Sequence, residues 1–187
     1  LFVELLEFIH YLRYNTKQNP MIRITSLTLL LLLIAIAGMA QDLPRKSPLA
    51  SVSQRIGLTE VSVEYSRPAV QGRTIWGELV AYDELWRTGA NAATVIEFEE
   101  PAVLEGKLVP AGKYALFTVP GNESFKVILN TEWDQWGAYN RDPELDLITF
   151  SVPTEKTAKT EQLTFSFVNV GYDSAELCMA WDELKVC

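Results

Sequence analysis

Histidine is almost missing from this chain. The 187 residues contain one, His10. It lies ahead of a stretch laid out like a secretory leader, so the chain expected to remain after leader removal has none. That removes Ser-His-Asp and Cys-His nucleophile systems, histidine acid–base catalysis and ordinary zinc or copper sites together. Cysteine is scarce too: only Cys178 and Cys187 occur, nine positions apart, with no C-x-x-C pair of the dithiol redox type. There is no glycine-rich phosphate loop. Ser51, Ser53 and Ser66 lack a nucleophile-elbow context, and no Ser-x-x-Lys motif occurs. Positive charge is in deficit, with 16 Lys and Arg against 24 Asp and Glu and a net charge of −8. Three of those cations and two of those anions precede Gln41, so residues 41–187 carry 13 against 22, a net −9. Such a domain repels phosphate backbones, which argues against a nucleic-acid partner.

The one long apolar run lies in "MIRITSLTLLLLLIAIAGMAQD", beginning at Met21. Arg23 supplies a short basic region, the apolar segment runs through Ala37, and the small residues Gly38 and Ala40 sit where a signal peptidase reads. The run falls short of the roughly 18 residues of a comfortable membrane span. Residues 21–40 therefore read as a signal peptide, with an uncleaved anchor as the alternative. Gln41, not cysteine, follows the expected cut, so no lipid anchor is indicated. Residues 1–20 read as translated upstream sequence outside the fold. The alternative is an amphipathic helix with Leu5, Phe8 and Leu12 on one face. Residues 41–187 are the length of one domain with a normal core, exported to the periplasm or the exterior, with no membrane span after cleavage.

Along that domain, glycine and proline punctuate short alternating or apolar runs, a β pattern. "EVSVEYS" puts Val61, Val63 and Tyr65 on one face and Ser62, Glu64 and Ser66 on the other. "TVIEF", "AVLEG", "KLVP", "KYALFTVP", "FKVILN", "LITFSVP", "LTFSFVNV" and "AELCMAW" read as further strands. "KYALFTV" is apolar on both faces, which predicts a central strand bracketed by the turns at 110–112 and 120–122. In "IWGELVAYDELW" the spacing of Ile75, Leu79, Tyr82 and Trp86 predicts one or two helical turns. Residues 153–162, "PTEKTAKTEQ", read as a polar surface loop. About nine strands, no βαβ rhythm and one short helical insert predict an all-β fold: an antiparallel β-sandwich, jelly-roll-like.

A two-residue turn at Asp182-Glu183 would pair Trp181 with Leu184 and Met179 with Val186, and would set Cys178 opposite Cys187 on the other face. Pattern and spacing therefore predict a C-terminal hairpin closed by a Cys178–Cys187 disulfide. Two free thiols at a frayed end are the alternative.

Aromatic and arginine residues gather in two loops. Tyr65, Arg67, Arg73, Trp76, Tyr82, Trp86, Arg87 and Asn91 form one group; "EWDQWGAYNRD", with Trp133, Trp136, Tyr139, Asn140 and Arg141, forms the other. Rings stack on apolar sugar faces and guanidinium forks hold anionic groups, so Arg67, Arg73, Trp86, Arg87, Asn91, Trp136 and Tyr139 are the candidate ligand-binding set. The competing structural reading has the same rings sealing corners and the same arginines tying down loops. Glu97, Glu99 and Glu100, or Asp142, Glu144 and Asp146, offer carboxylates for a histidine-free hydrolase, which needs a particular separation. The acidic loop lacks the glycine-bearing calcium spacing, and no metal or cofactor is expected.

The stretch 47–98, running from "SPLASVSQRIG" through "VEYSRPAVQGRTIWGELVAYDELWRTGANAATVIEF", with "LVPAGKYALFTVPG" and "WGAYN" after it, resembles the Domain of Unknown Function 2911 family. The resemblance covers nearly all of the chain from Ser47 onward. It implies an exported, mostly β protein of Bacteroidetes-type bacteria and no particular activity. The family positions carried here are Tyr65, Arg67 and Pro68; Gly72, Arg73, Trp76 and Gly77; Trp86 to Asn91; and Trp136, Gly137 and Tyr139. Ala81 stands where the family pattern has proline, which bears on the stiffness of that loop alone. The functional expectation is an exported β-sandwich binding module for a small polar or carbohydrate-like ligand or a cell-envelope partner. The carboxylate-dependent hydrolase and a purely structural domain are the alternatives.

Overall fold

The computed structural model describes residues 44–187 throughout and, before them, Leu6, Glu7, His10, Tyr11, Tyr14, Met21, Ile24, Thr25 and residues 27–29, all helical. The chain divides into two compact units, Leu1–Pro44 and Arg45–Cys187. Apart from those helical positions, residues 1–20, expected to be upstream sequence, and 21–40, expected to be a leader, lie outside the described residues. Among the described residues no helix is long and apolar enough to cross a membrane.

The second unit is all-β and antiparallel. Its strands are β1 (Leu49–Ile56), β2 (Thr59–Ser66), β3 (Thr94–Phe98), β4 (Ala102–Leu104), β5 (Lys107–Val109), β6 (Gly112–Pro120), β7 (Ser124–Asn130), β8 (Asp146–Val168) and β9 (Glu176–Val186). Seven form one sheet in the order β1-β2-β3-β6-β7-β8-β9; β4 and β5 form a separate hairpin. β6 is the middle strand of the seven, as its two apolar faces predict. Its Leu116 lies between Thr94 of β3 and Leu129 of β7, with Ile148 of β8 beyond. On its other face Ala115 and Phe117 pack with Ala93 and Ile128 beneath Leu85 and Ala138. Period-two alternation thus gives β6 a core side and a second, loop-covered apolar side.

The sheet curls. Past the end of β2, Ala69 bridges Gln162 of β8. The Val70 N–H donates to Glu161 O at 2.7 Å, and the Leu163 N–H donates to Pro68 O at 3.0 Å. The Gly57 N–H, in the β1–β2 turn, donates to Tyr172 O in the β8–β9 turn at 3.1 Å. The inward residues Val61, Val63, Tyr65, Ile96, Phe98, Leu116, Phe125, Leu129, Phe165, Met179 and Trp181 are buried in one core.

Four local expectations change. β1 adds a strand that its polar composition hid; only alternate residues, Ala50, Val52 and Ile56, pack inward. No helix forms over residues 75–86, where the chain runs through turns. Gly77 (φ 85°) and Asp83 (φ 62°) are left-handed there, which interrupts any helical ladder. Of the four spaced residues only Ile75 and Trp86 are buried; Tyr82 is half-buried, Leu79 is exposed, and Val80, outside the spacing, packs in the core instead. The only short helix after residue 44 is a 3-10 turn, Pro143–Leu145. Residues 153–162 are not a loop but the middle of the 23-residue β8. Thr154 and Lys156 pair with Val186 and Leu184, and Thr160 and Thr164 pair with Asp182 and Ala180. From 156 to 164 β8 spends eight residue steps against four on β9, 184 to 180. The surplus is bulged, and bulges bend a strand. The polar stretch is the outer lane of a corner.

β9 turns the inner lane with Asp182 at φ 54°. Its halves pair with β8, not with each other, so the predicted self-pairing hairpin is replaced. The bend still brings the ends of β9 together: Cys178 and Cys187 are disulfide-bonded with Cα atoms 4.0 Å apart.

Candidate functional site

Trp86, Thr88 and Asn91 show how the Trp-Arg-Thr-Gly-Ala-Asn segment is held. Trp86 exchanges both backbone bonds with Thr118 of β6, at 2.7 and 2.9 Å. Its ring stacks on Trp181 at 5.9 Å and meets Trp76 edge-on at 5.8 Å, and its indole N–H donates to Gly89 O at 3.1 Å. The left-handed positions in the bend are Thr88 (φ 55°) and Asn91 (φ 60°). Gly89 serves a different need, close approach: a Cβ there would stand 3.0 Å from Thr94 Oγ1 and 3.2 Å from Ser66 O. The Thr88 and Thr118 hydroxyls meet at 3.1 Å, and Thr94 Oγ1 donates to Thr88 O at 2.9 Å.

The seven candidate residues do not form one cluster. Arg67 is spent on β8, donating from Nε to Leu163 O at 3.0 Å and from Nη2 to Thr164 Oγ1 at 2.7 Å. Arg73 donates to Val70 O and Ala69 O in its own loop. Trp86 is buried in the ring cluster. Asn91 donates to Ser47 O and Ser66 Oγ. Arg87 differs: its Nε is buried without a hydrogen-bond partner. The two loops do join by backbone, where Ala92 bridges Trp136 and the Gly137 N–H donates to Asn91 O at 3.2 Å. Trp136 and Tyr139 remain at the surface, 60% and 83% exposed, with Arg45 5.6 Å above the Trp136 ring and Lys113 5.2 Å above Trp133.

Three of the carboxylates considered for hydrolysis, Glu97, Asp142 and Asp146, have other partners. Glu97 pairs with Lys113 at 3.5 Å. Asp142 caps the 3-10 turn through the Glu144 N–H, and Asp146 is gripped by Arg141 and Asn130. Glu176 lies with the sulfurs of Cys178 and Cys187 in the one metal-like grouping among the described residues, all within 4.8 Å. The disulfide takes both thiolates, so those sulfurs are not metal ligands in this state.

Sequence reasoning missed the interior of the curled sheet. A cavity of about 750 Å³ lies within it, inside the roughly 300–1,000 Å³ range of small-molecule sites. Its walls are the inward residues of the strands, Ile96, Leu116, Val127, Phe150, Phe167 and Leu177 among them. Thr88 and Thr118 line it at the end of β6 remote from the Phe98–Gly112 pairing. At the other end three turns surround it: residues 56–59, 100–105 and 173–177. The exposed side chains of Leu58 and Val103 belong to this rim. Each wall residue reads from sequence as ordinary core. Only the curl reveals that Val127, Phe150, Phe167 and Leu177 stay half-buried because they face open volume. None of the seven candidates lines it; Thr88, within the Trp86–Asn91 family stretch, does.

Fold and cavity together define the class: an all-β unit whose curled antiparallel sheet surrounds a largely apolar cavity open at one end. No curated protein and no solved structure matches the chain. A family model matches residues 47–187, and the chain belongs to that family, protein of unknown function (DUF2911).

Proposed function

We propose that the domain is an exported binding protein that takes an apolar or amphipathic small molecule into the interior of the curled sheet. The supporting observation is the cavity itself: about 750 Å³, walled by aliphatic and aromatic side chains, open at the three-turn rim and ending at the Thr88–Thr118 hydroxyl pair. A volume of this size walled by Phe and Leu side chains matches small-molecule sites, which are mostly apolar clefts with a few polar groups. The Cys178–Cys187 disulfide and the leader-like segment support export. N-phenyl-1-naphthylamine, a neutral apolar fluorophore, tests the reading. Wild type is expected to enhance its emission, Val127→Trp to lose the enhancement by filling the cavity, and Trp136→Ala to keep it. Enhancement that survives Val127→Trp undiminished rules the cavity out.

A second reading places a sugar or other small polar ligand on the outer surface. The exposed Trp133, Trp136 and Tyr139, with Arg45 and Lys113 over two of the rings, favour it. It predicts an oligosaccharide-dependent rise in melting temperature that Trp136→Ala abolishes and Val127→Trp leaves intact.

A further inference from the structure

The side chains around the cavity are charged with one sign. Glu100, Glu105, Asp173 and Glu176 line it at the rim, and among the described residues that line it there is no Lys, Arg or His. None of the four is in an ion pair with another described residue. They come from separate parts of the chain: two from residues 100–105, Asp173 from the β8–β9 turn and Glu176 from the start of β9. The cations nearest in sequence, Arg55 beside the rim turn at 56–59 and Lys107, pair with none of the four and spend their donors on backbone carbonyls. Arg55 donates to Leu58 O at 3.2 Å and Lys107 Nζ donates to Thr149 O at 3.0 Å. An amphiphile whose tail enters among Val127, Phe150 and Phe167 leaves its headgroup at this rim. There an ammonium meets four carboxylates, while a carboxylate or phosphate head meets like charge.

Resting on the cavity reading above, we propose that the site selects amphiphiles by headgroup charge, taking an alkyl chain that ends in a positively charged amine and rejecting one that ends in an acid. The attraction acts across a wet rim, so it is moderate and weakens with salt. For head-to-carboxylate distances of several ångströms in water, ammonium and carboxylate heads on the same chain should differ by about tenfold in affinity at low ionic strength.

The experiment is displacement of bound N-phenyl-1-naphthylamine from the protein by dodecylammonium, dodecan-1-ol and dodecanoate, each kept below micelle formation at pH 7. Half-displacement is expected at a dodecylammonium concentration about tenfold below that for dodecanoate, with the alcohol between. The gap should shrink as salt is raised. It should close in the combined Glu100→Gln, Glu105→Gln, Asp173→Asn, Glu176→Gln variant without moving the alcohol. If that variant does not fold, the salt titration of wild type carries the test. If the alcohol displaces the probe but the two ions are equal, or dodecanoate is stronger, charge selection is overturned and the cavity reading stands. If no amphiphile displaces the probe and Val127→Trp binds it like wild type, the cavity reading itself is overturned, and this proposal with it.

Discussion

At the scale of single residues, side chains that looked alike in sequence divide by what their polar atoms hold. Trp86 has its N–H on Gly89 O and its ring on Trp181, whereas Trp136 has its ring largely in solvent. Trp86→Ala is expected to cost about 3–5 kcal/mol of unfolding free energy, measured by urea denaturation. Arg67→Ala, which cuts the tie from the end of β2 to β8, should cost roughly 1–3 kcal/mol. Arg73→Ala, on an exposed loop, should stay within about 0.5 kcal/mol of wild type. Tyr114 gives a pH test. Burial raises its pKa above the ordinary 10.0, and its hydroxyl donates to Pro110 O at 2.9 Å. The unfolded chain therefore ionises first. The stabilisation is fully present below pH 10 and is lost as pH rises through the folded pKa. Between the two pKa values the loss runs at about 1.4 kcal/mol per pH unit. Alkaline denaturation of wild type and Tyr114→Phe should diverge in that window; parallel curves would refute the assignment.

At the scale of elements, the β8–β9 corner is the least obvious part of the design. Its polarity follows from its place: residues 156–164 lie on the outer lane, where threonine satisfies both strand geometry and solvent. On the inner lane, the disulfide holds the fold-back of β9 by linking residues nine apart. In the chain-entropy picture a ring of this size contributes about 2–3 kcal/mol. Urea midpoints with and without reductant should show that loss, and the Cys178→Ala, Cys187→Ala double variant should match the reduced protein and be indifferent to reductant. Cys187 also lines the cavity, so probe affinity should fall in the same variant if the fold-back shapes the rim.

At the scale of the whole molecule, a domain that surrounds a cavity of this volume gives up core contacts that a filled interior would supply. A ligand bound there returns them, and binding to the folded state alone raises stability by mass action. Dodecan-1-ol at about 100 times its dissociation constant should add about 2.7 kcal/mol to wild type, seen as a rise in melting temperature. Val127→Trp should show no such rise.

The all-β class, the alternating strands, the central place of β6 and the pairing of the two cysteines were legible in sequence, because each depends on local period or on spacing along a short stretch. The resemblance carried by "YSRP", "WRTGAN" and "WGAY" likewise needed only the linear order of residues. Tertiary structure alone decided the rest. Whether Arg67 meets a ligand or Leu163 O, 96 residues away, depends on how far the sheet curls. Whether Val127 and Phe150 pack against each other or face open volume depends on the same curl, since an inward apolar residue has one pattern in sequence for both fates. The curl is set by bulges, left-handed residues and long-range pairings that leave no periodic trace.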